Sequence, residues 1–186
     1  MGTPIWAIEG VALDSTGDSV TDSLGDRVSL LASTLSSGIV EKTNALDGSG
    51  TYNLFQVTGS VLVNSIWGYV SEAMPAATTA ASLQLFPTAG AAIQLTSLAG
   101  SDISSLPIGS VLMKGGLAAN AIGVGDNTLG YLLEEAGFIF AKFAIGQKTA
   151  VNTFIRLNVT EGNTDGTIVW RCNWLNLSTG ATLVAV

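Results

Sequence analysis

Histidine is absent from the 186-residue chain, and that absence removes most of the familiar catalytic machinery. Ser-His-Asp and Cys-His nucleophilic sites, imidazole acid–base catalysis and every His-containing metal set need a ring nitrogen that this sequence does not supply. The single cysteine, Cys172, excludes an intrachain disulfide and any multi-cysteine zinc or iron–sulfur site. It stands between Trp170 and Trp174 with nothing to activate its thiol, so it reads as a small core residue. Glu134 and Glu135 are the only adjacent carboxylates. Glycoside hydrolysis needs two carboxyl groups facing each other across a sugar, so these sequence neighbours read as a solvent-facing pair. Asp14, Asp18, Asp22 and Asp26 recur every four residues. That spacing suits a wet acidic helix face and not a D-x-D-x-D-G calcium loop; a cation bridging two subunits is the alternative.

Weaker motifs also resolve into structural readings. In Gly123-Val-Gly125-Asp-Asn-Thr-Leu-Gly130 the third glycine falls five residues after the second, where a dinucleotide loop has three, so this is a loop without a nucleotide. Asn158-Val-Thr160 and Asn176-Leu-Ser178 match the glycosylation sequon, as chance allows in a chain this rich in Ser, Thr and Asn. Trp67, Tyr69, Trp170 and Trp174 sit at strand spacing, which favours core; a sugar-stacking platform is the other reading. The expectation is therefore a protein that is not an enzyme, with no cofactor and no metal.

Charge is scarce as well as unbalanced. Asp, Glu, Lys and Arg make up 11% of the chain and the net charge is −7, against about 25% charged residues in an ordinary soluble domain. No basic footprint exists for nucleic acid or an anionic membrane. Met1–Gly10 contains Glu9 and no positive region, so no secretory signal is expected. Gly48–Gly100 has one charge, Glu72, but Asn53, Gln56, Asn64, Pro75, Gln84 and Pro87 interrupt it. No apolar run reaches membrane-spanning length, and a soluble chain is expected.

The elements that would position these residues fall into two parts. Over residues 18–42, Val20, Leu24, Val28, Leu31, Leu35 and Ile39 recur at intervals of three and four, the period of an amphipathic helix. Asp18 is the N-cap, and Asp22 and Asp26 lie near the positive end of the helix dipole. This apolar stripe is the expected assembly interface, packing either on the protein body or against a partner helix. Asp47-Gly48-Ser49-Gly50 then reads as a turn or linker. Residues 1–50 are accordingly taken as an N-terminal arm and residues 51–186 as a separate domain.

From residue 51 the pattern becomes β. Thr51–Thr58 and Ser60–Ser71 are rich in Val, Ile, Phe, Tyr and Trp and are split by Gly59. Ser82–Pro87, Ala92–Leu98 and Ser110–Lys114 are shorter strands. Asp102–Leu106 is a capped helical turn before Pro107, and Leu129–Ala136 a possible short helix. Phe138–Ile145, Asn152–Thr160 and Thr167–Leu177 close the chain as strands, the last two joined as a hairpin through residues 161–166. Within them Ile155, Leu157 and Val159 share one face, and Trp170, Cys172 and Trp174 point inward while Arg171 and Asn173 point outward. The expected fold is mainly β: an antiparallel β-sandwich, jelly-roll-like, behind an arm with one amphipathic helix. Its outward alternates are Ser, Thr, Asn and Gln in place of Lys and Glu, which implies that neighbouring subunits cover much of the body.

The block TYNLFQVTGSVLVNSIWGYV, residues 51–70, resembles a recurrent segment of small virion structural proteins of tailed bacteriophages. There an [F/L]-x-V-T-G-x-V-L-V-x-x-I-x-G-x-V run precedes an Ala/Thr-rich stretch, here Ala76–Ala81. The similarity continues through Ser82–Thr88, Ile93–Leu98 and the Asp102–Ser110 turn. It closes with Gly166-Thr-Ile-Val-Trp170, Trp174 and the Gly180-Ala181 tail. It covers residues 51–186 and is carried by strand and turn residues without a chemical signature. The resemblance implies a β-sandwich on the capsid surface of a virion, a head decoration (cement) or minor capsid protein. Its partners would be further copies of itself, often as a trimer, and the major capsid protein. A head or tail fibre domain binding a host surface glycan is the rival expectation.

Overall fold

A computed structural model describes residues 5–6, 12–13, 37–76, 80–125, 142–147, 151–160 and 165–186. Among them are fourteen strands and no helix. The first two, β1 (Ile5–Trp6) and β2 (Ala12–Leu13), pair only with each other. The rest begin with β3 (Ser37–Ala45), β4 (Gly50–Thr58), β5 (Ser60–Glu72) and β6 (Ala80–Pro87). Short strands follow: β7 (Ile93–Gln94), β8 (Ser101–Asp102), β9 (Val111–Lys114), β10 (Ile122–Gly125) and β11 (Phe143–Gly146). The chain ends with β12 (Thr153–Val159), β13 (Thr167–Asn176) and β14 (Thr182–Ala185).

These strands form two antiparallel sheets. Sheet 1 has the order β10-β9-β5-β13-β3, with β11 also on β5; sheet 2 has the order β14-β4-β12-β6-β7, with β8 also on β6. The chain passes repeatedly from one sheet to the other, so β4 pairs with β14, and the sequence between them folds back to pair β5 with β13 in the opposite sheet. Inside that pair, β6 meets β12. Both sheets line one apolar core: Val61, Val63, Ile66, Val70 and Trp170 from sheet 1 meet Phe55, Val57, Leu83, Ile155 and Leu157 from sheet 2. All ten are fully buried, which is why period-two alternation fixes each strand's facing so firmly.

The expected alternation in the last strands is present. Ile155, Leu157 and Val159 are buried, as are Trp170, Cys172 and Trp174, while Arg171 and Asn173 are partly exposed on the other face. Besides an irregularity at Ser71, near the end of the β5–β13 ladder, two bulges adjust the pattern. One leaves Leu54 as an extra residue opposite β12, so that Leu54 and Phe55 are both buried. The other inserts Asn64 into the β5–β13 ladder, where its Nδ2 donates to Asn173 Oδ1 at 3.2 Å.

Four expectations require correction. Residues 37–42, the end of the expected helix, are in β3, which pairs along its length with β13. The remainder of that helix lies outside the described residues. A separate arm ending at residue 50 is also wrong for its last stretch, because β3 is part of sheet 1. The loop 161–166 does not close a hairpin: β12 is in sheet 2 and β13 in sheet 1, so the chain passes here from one sheet to the other. Asp102 caps no helical turn. It ends β8, and its Oδ1 accepts a hydrogen bond from Ser104 N at 2.8 Å, with Ser105 at φ 54°. An Asx turn satisfies the same side chain that a helix cap would. The Leu129–Ala136 segment falls outside the described residues.

Glycine is required where the backbone meets the largest core side chain. Gly68 faces Trp170 across the ladder, and a Cβ there would lie 3.0 Å from both Trp170 Cε3 and Ile168 Cγ2. Gly59, at φ 68°, turns the chain from β4 into β5, where a Cβ would come within 2.9 Å of Ser178 Oγ and 3.1 Å of Ala181 Cα. Gly68→Ala should cost about 1–3 kcal/mol through overpacking. Gly90→Ala, where the nearest atom is Pro87 Cγ at 3.4 Å, should change stability by less than about 1 kcal/mol. Urea unfolding of the two variants measures the contrast.

Candidate functional site

Reactive groups are few among the described residues, and the structure occupies them. Cys172 is fully buried in the core, and burial pushes its thiol far above the ordinary cysteine range. Tyr52 clamps the β3–β4 turn: its hydroxyl lies 2.8 Å from Asp47 Oδ1 and 2.7 Å from Gly48 O, and accepts from Asp47 N at 3.2 Å. Burial, then the Asp47 carboxylate, raises its pKa. No cluster of three metal-ligating side chains occurs among the described residues. Asn176 is 5% exposed, so the second sequon is closed to modification in the folded chain. Glu134, Glu135 and Asp14, Asp18, Asp22 and Asp26 lie outside the described residues.

The four aromatics divide between two environments. Trp170 and Trp174 are core. Trp67 and Tyr69 point outward from β5 and are partly exposed. Across the outer face of sheet 1, register puts Glu41, Arg171, Trp67 and Met113 in one row and Thr43, Val169, Tyr69 and Val111 in the next. Arg171 Nε donates to Glu41 Oε2 at 2.6 Å, and its guanidinium carbon stands 5.0 Å from the Trp67 ring centre and 5.6 Å from that of Tyr69. The pair is half-exposed, so its value is organisational: it holds one cation near two rings.

The outer face of sheet 2 is a field of amides and hydroxyls around another arginine. Register aligns Asn53, Arg156, Gln84 and Gln94 in one row and Thr51, Asn158 and Ser82 in the next. Arg156 Nε and Nη2 both donate to Gln84 Oε1, at 3.0 and 2.9 Å, and the guanidinium lies 4.0 Å from the Phe86 ring centre. Burial lowers its pKa from the usual arginine value. Ser82 Oγ and Gln94 Oε1 are buried without a hydrogen-bond partner. Such groups cost free energy until something satisfies them.

Among the described residues, one flank has no covering strand. β3 pairs with β13 on one side and with no described strand on the other; β14 is likewise the outermost strand of sheet 2 and lies beside β3. Ile39 on β3 is 65% exposed, and Val184 and Val186 on and after β14 are 46% and 40% exposed. Of the expected interface residues, Ile39 is therefore on an edge strand and not on a helix face. Val20, Leu24, Val28, Leu31 and Leu35 lie outside the described residues, so no common face with Ile39 is seen. The edge itself went unrecognised, although Ile39, Glu41 and Thr43 alternating with Val40, Lys42 and Asn44 carry a strand's period.

Among known proteins, no family model, no curated sequence and no solved structure matches this chain. For the thiol, the expected outcome is definite: Cys172 should resist a disulfide reagent in the native protein at pH 8 and react fully in concentrated guanidinium. A fast native reaction, followed by absorbance, would show that the core opens around it.

Proposed function

We propose that this protein is a structural, non-catalytic component of a bacteriophage virion, a capsid decoration protein that stabilises the head by burying surface between capsomers. Its partners in this reading are further copies of itself, as a trimer, and the major capsid protein on the capsid surface. The observation that carries the reading is the flank that no described strand covers, where the nine-residue strand β3 with exposed Ile39 runs beside β14. Monomeric proteins guard such edges with lysines, prolines or bulges, because unpaired backbone groups invite another chain. Here the only lysine on the strand is Lys42, and no proline stands in it.

The surface composition supports the same reading. Exposed Ile93, Leu98, Ile108, Leu117 and Leu177 are further apolar surface outside β3 and β14, and the outer sheet faces carry rings and amides with few charges. An interface of this kind has an apolar centre and a polar, hydrogen-bonding rim. Stable contacts bury roughly 1,600 Å², and ligation of the assembled form alone stabilises it by mass action. The phage-like block 51–70 forms β4, the Gly59 corner and most of β5, so the resemblance falls on the centre of the fold. The nested pairs β4·β14, β5·β13 and β6·β12 support a jelly-roll-like sandwich. The N-terminal arm anchors the copy on the shell.

A second reading is favoured by one observation. Trp67 and Tyr69 face outward, with Arg171 between Trp67 and Glu41 in one row and Tyr69 in the next, an arrangement that also suits stacking on a sugar ring, as in a fibre domain binding a host glycan. Quenching of Trp67 fluorescence by host-surface polysaccharide, lost in Trp67→Ala, would favour that reading.

Sedimentation velocity tests the main one. The wild-type chain should sediment as an oligomer, and Ile39→Lys, which guards the edge with a charge, should weaken self-association at least about tenfold, a change of roughly 1.4 kcal/mol. Its far-UV circular dichroism should stay unchanged. A wild-type chain that sediments as a monomer at all concentrations would contradict the proposal.

A further inference from the structure

A second feature, independent of the assembly reading, lies where sheet 1 divides. β5 is paired on one edge by two different strands: β11 covers Ser60–Val63 and β9 covers Trp67–Tyr69, which leaves Asn64–Ile66 between them. At this gap the two strands send inward side chains toward each other. On β9, Leu112 is core and Lys114 follows it on the same face; on β11, Phe143 and Ile145 face inward opposite Val63 and Val61. A cavity of about 390 Å³ opens there, walled by Leu85, Leu95, Phe143 and Ile145, with Lys142 and Leu117 at its exposed margin. Its size falls within the usual range for small-molecule sites.

Lys114 is unusual for such a wall. It is 5% exposed, its Nζ donates to Gly116 O at 3.1 Å, and it sits 5.0 Å from the Phe143 ring centre. An ammonium has three donors, and no carboxylate lies within ion-pair distance of it among the described residues. Burial accordingly pulls its pKa below the ordinary lysine value. A buried cation without a counter-ion is costly. Gln94, which also borders the cavity, carries a buried Oε1 with no partner. The walls are largely hydrocarbon around one buried cation, and the space is open to solvent on one side.

We propose that this cavity binds a small amphiphilic carboxylate, its headgroup on Lys114 Nζ and its hydrocarbon tail along Leu85, Leu95, Phe143 and Ile145. The carboxylate supplies a counter-charge that no described residue provides, and the tail fills apolar space.

Isothermal titration calorimetry of the full chain with decanoate, kept below its micelle concentration, and with decanol tests this. Wild type should bind decanoate at one site and at least tenfold more tightly than decanol. Lys114→Met, which keeps the length and removes the charge, should lose at least tenfold in decanoate affinity and leave decanol binding unchanged. Leu117→Trp, at the exposed margin and away from the cation, should weaken both ligands together, which keeps the test informative if Lys114→Met folds poorly. Absence of decanoate binding to wild type, or equal decanoate affinity in wild type and Lys114→Met, would overturn the proposal.

Discussion

The ladder between β5 and β13 is the interaction on which the rest of the molecule depends. It runs from Thr167 opposite Glu72 to Asn176 opposite Val61, and it sets the facing of every side chain in the centre of sheet 1. Because side chains alternate, one register delivers Trp170, Cys172 and Trp174 to the core and Arg171 to the outer face beside Trp67 and Tyr69. A slip of one residue would bury the guanidinium and expose two indoles. Gly68 supports that register locally, since a Cβ there would press to 3.0 Å from the Trp170 ring. The ladder also determines where the sheet ends: β13 has β3 as its other neighbour, and there the described strands of sheet 1 stop.

That boundary connects fold to function. A chain with 11% charged residues has little with which to defend an edge or wet a face, and the described charges are largely committed to local tasks. Arg171 is tied to Glu41, Arg156 to Gln84, and Lys114 is inside. What remains outward is hydroxyl, amide, ring and aliphatic surface. The polar ones tolerate burial when hydrogen-bonded, and covering them costs less than covering an unpaired charge. The flank of β3 and β14 and the two outer faces thus follow from a single choice of composition.

Much of the β architecture was legible because each strand buries one face. The alternation in Thr153–Thr160 and Thr167–Leu177 is read directly from residue types, and the split at Gly59 coincides with the corner from sheet 2 to sheet 1. Destinations were not legible. The Asp-Gly loop after β12 announces a turn, but whether the chain returns to its own sheet or crosses to the other depends on partners far away. The same is true of β3: Ile39 continues a helical spacing, yet its conformation is decided by β13, and Glu41 meets an arginine 130 residues along the chain. An open edge is a property of the assembled sheets, and no local motif encodes it. Lys114 went unnoticed for a related reason, since a lysine closing a short strand reads as outward until Leu112, two residues earlier, is known to be core.

The central proposal is that the edge of β3, which no described strand pairs, is covered by another copy. Amide hydrogen exchange across Ser37–Ala45, compared between dilute and concentrated solutions of the full chain, tests it most directly. Protection on β3 that rises with concentration, while the amides of the central strand β12 stay unchanged, is the result this account predicts. Exchange on β3 that is the same at every concentration would contradict it.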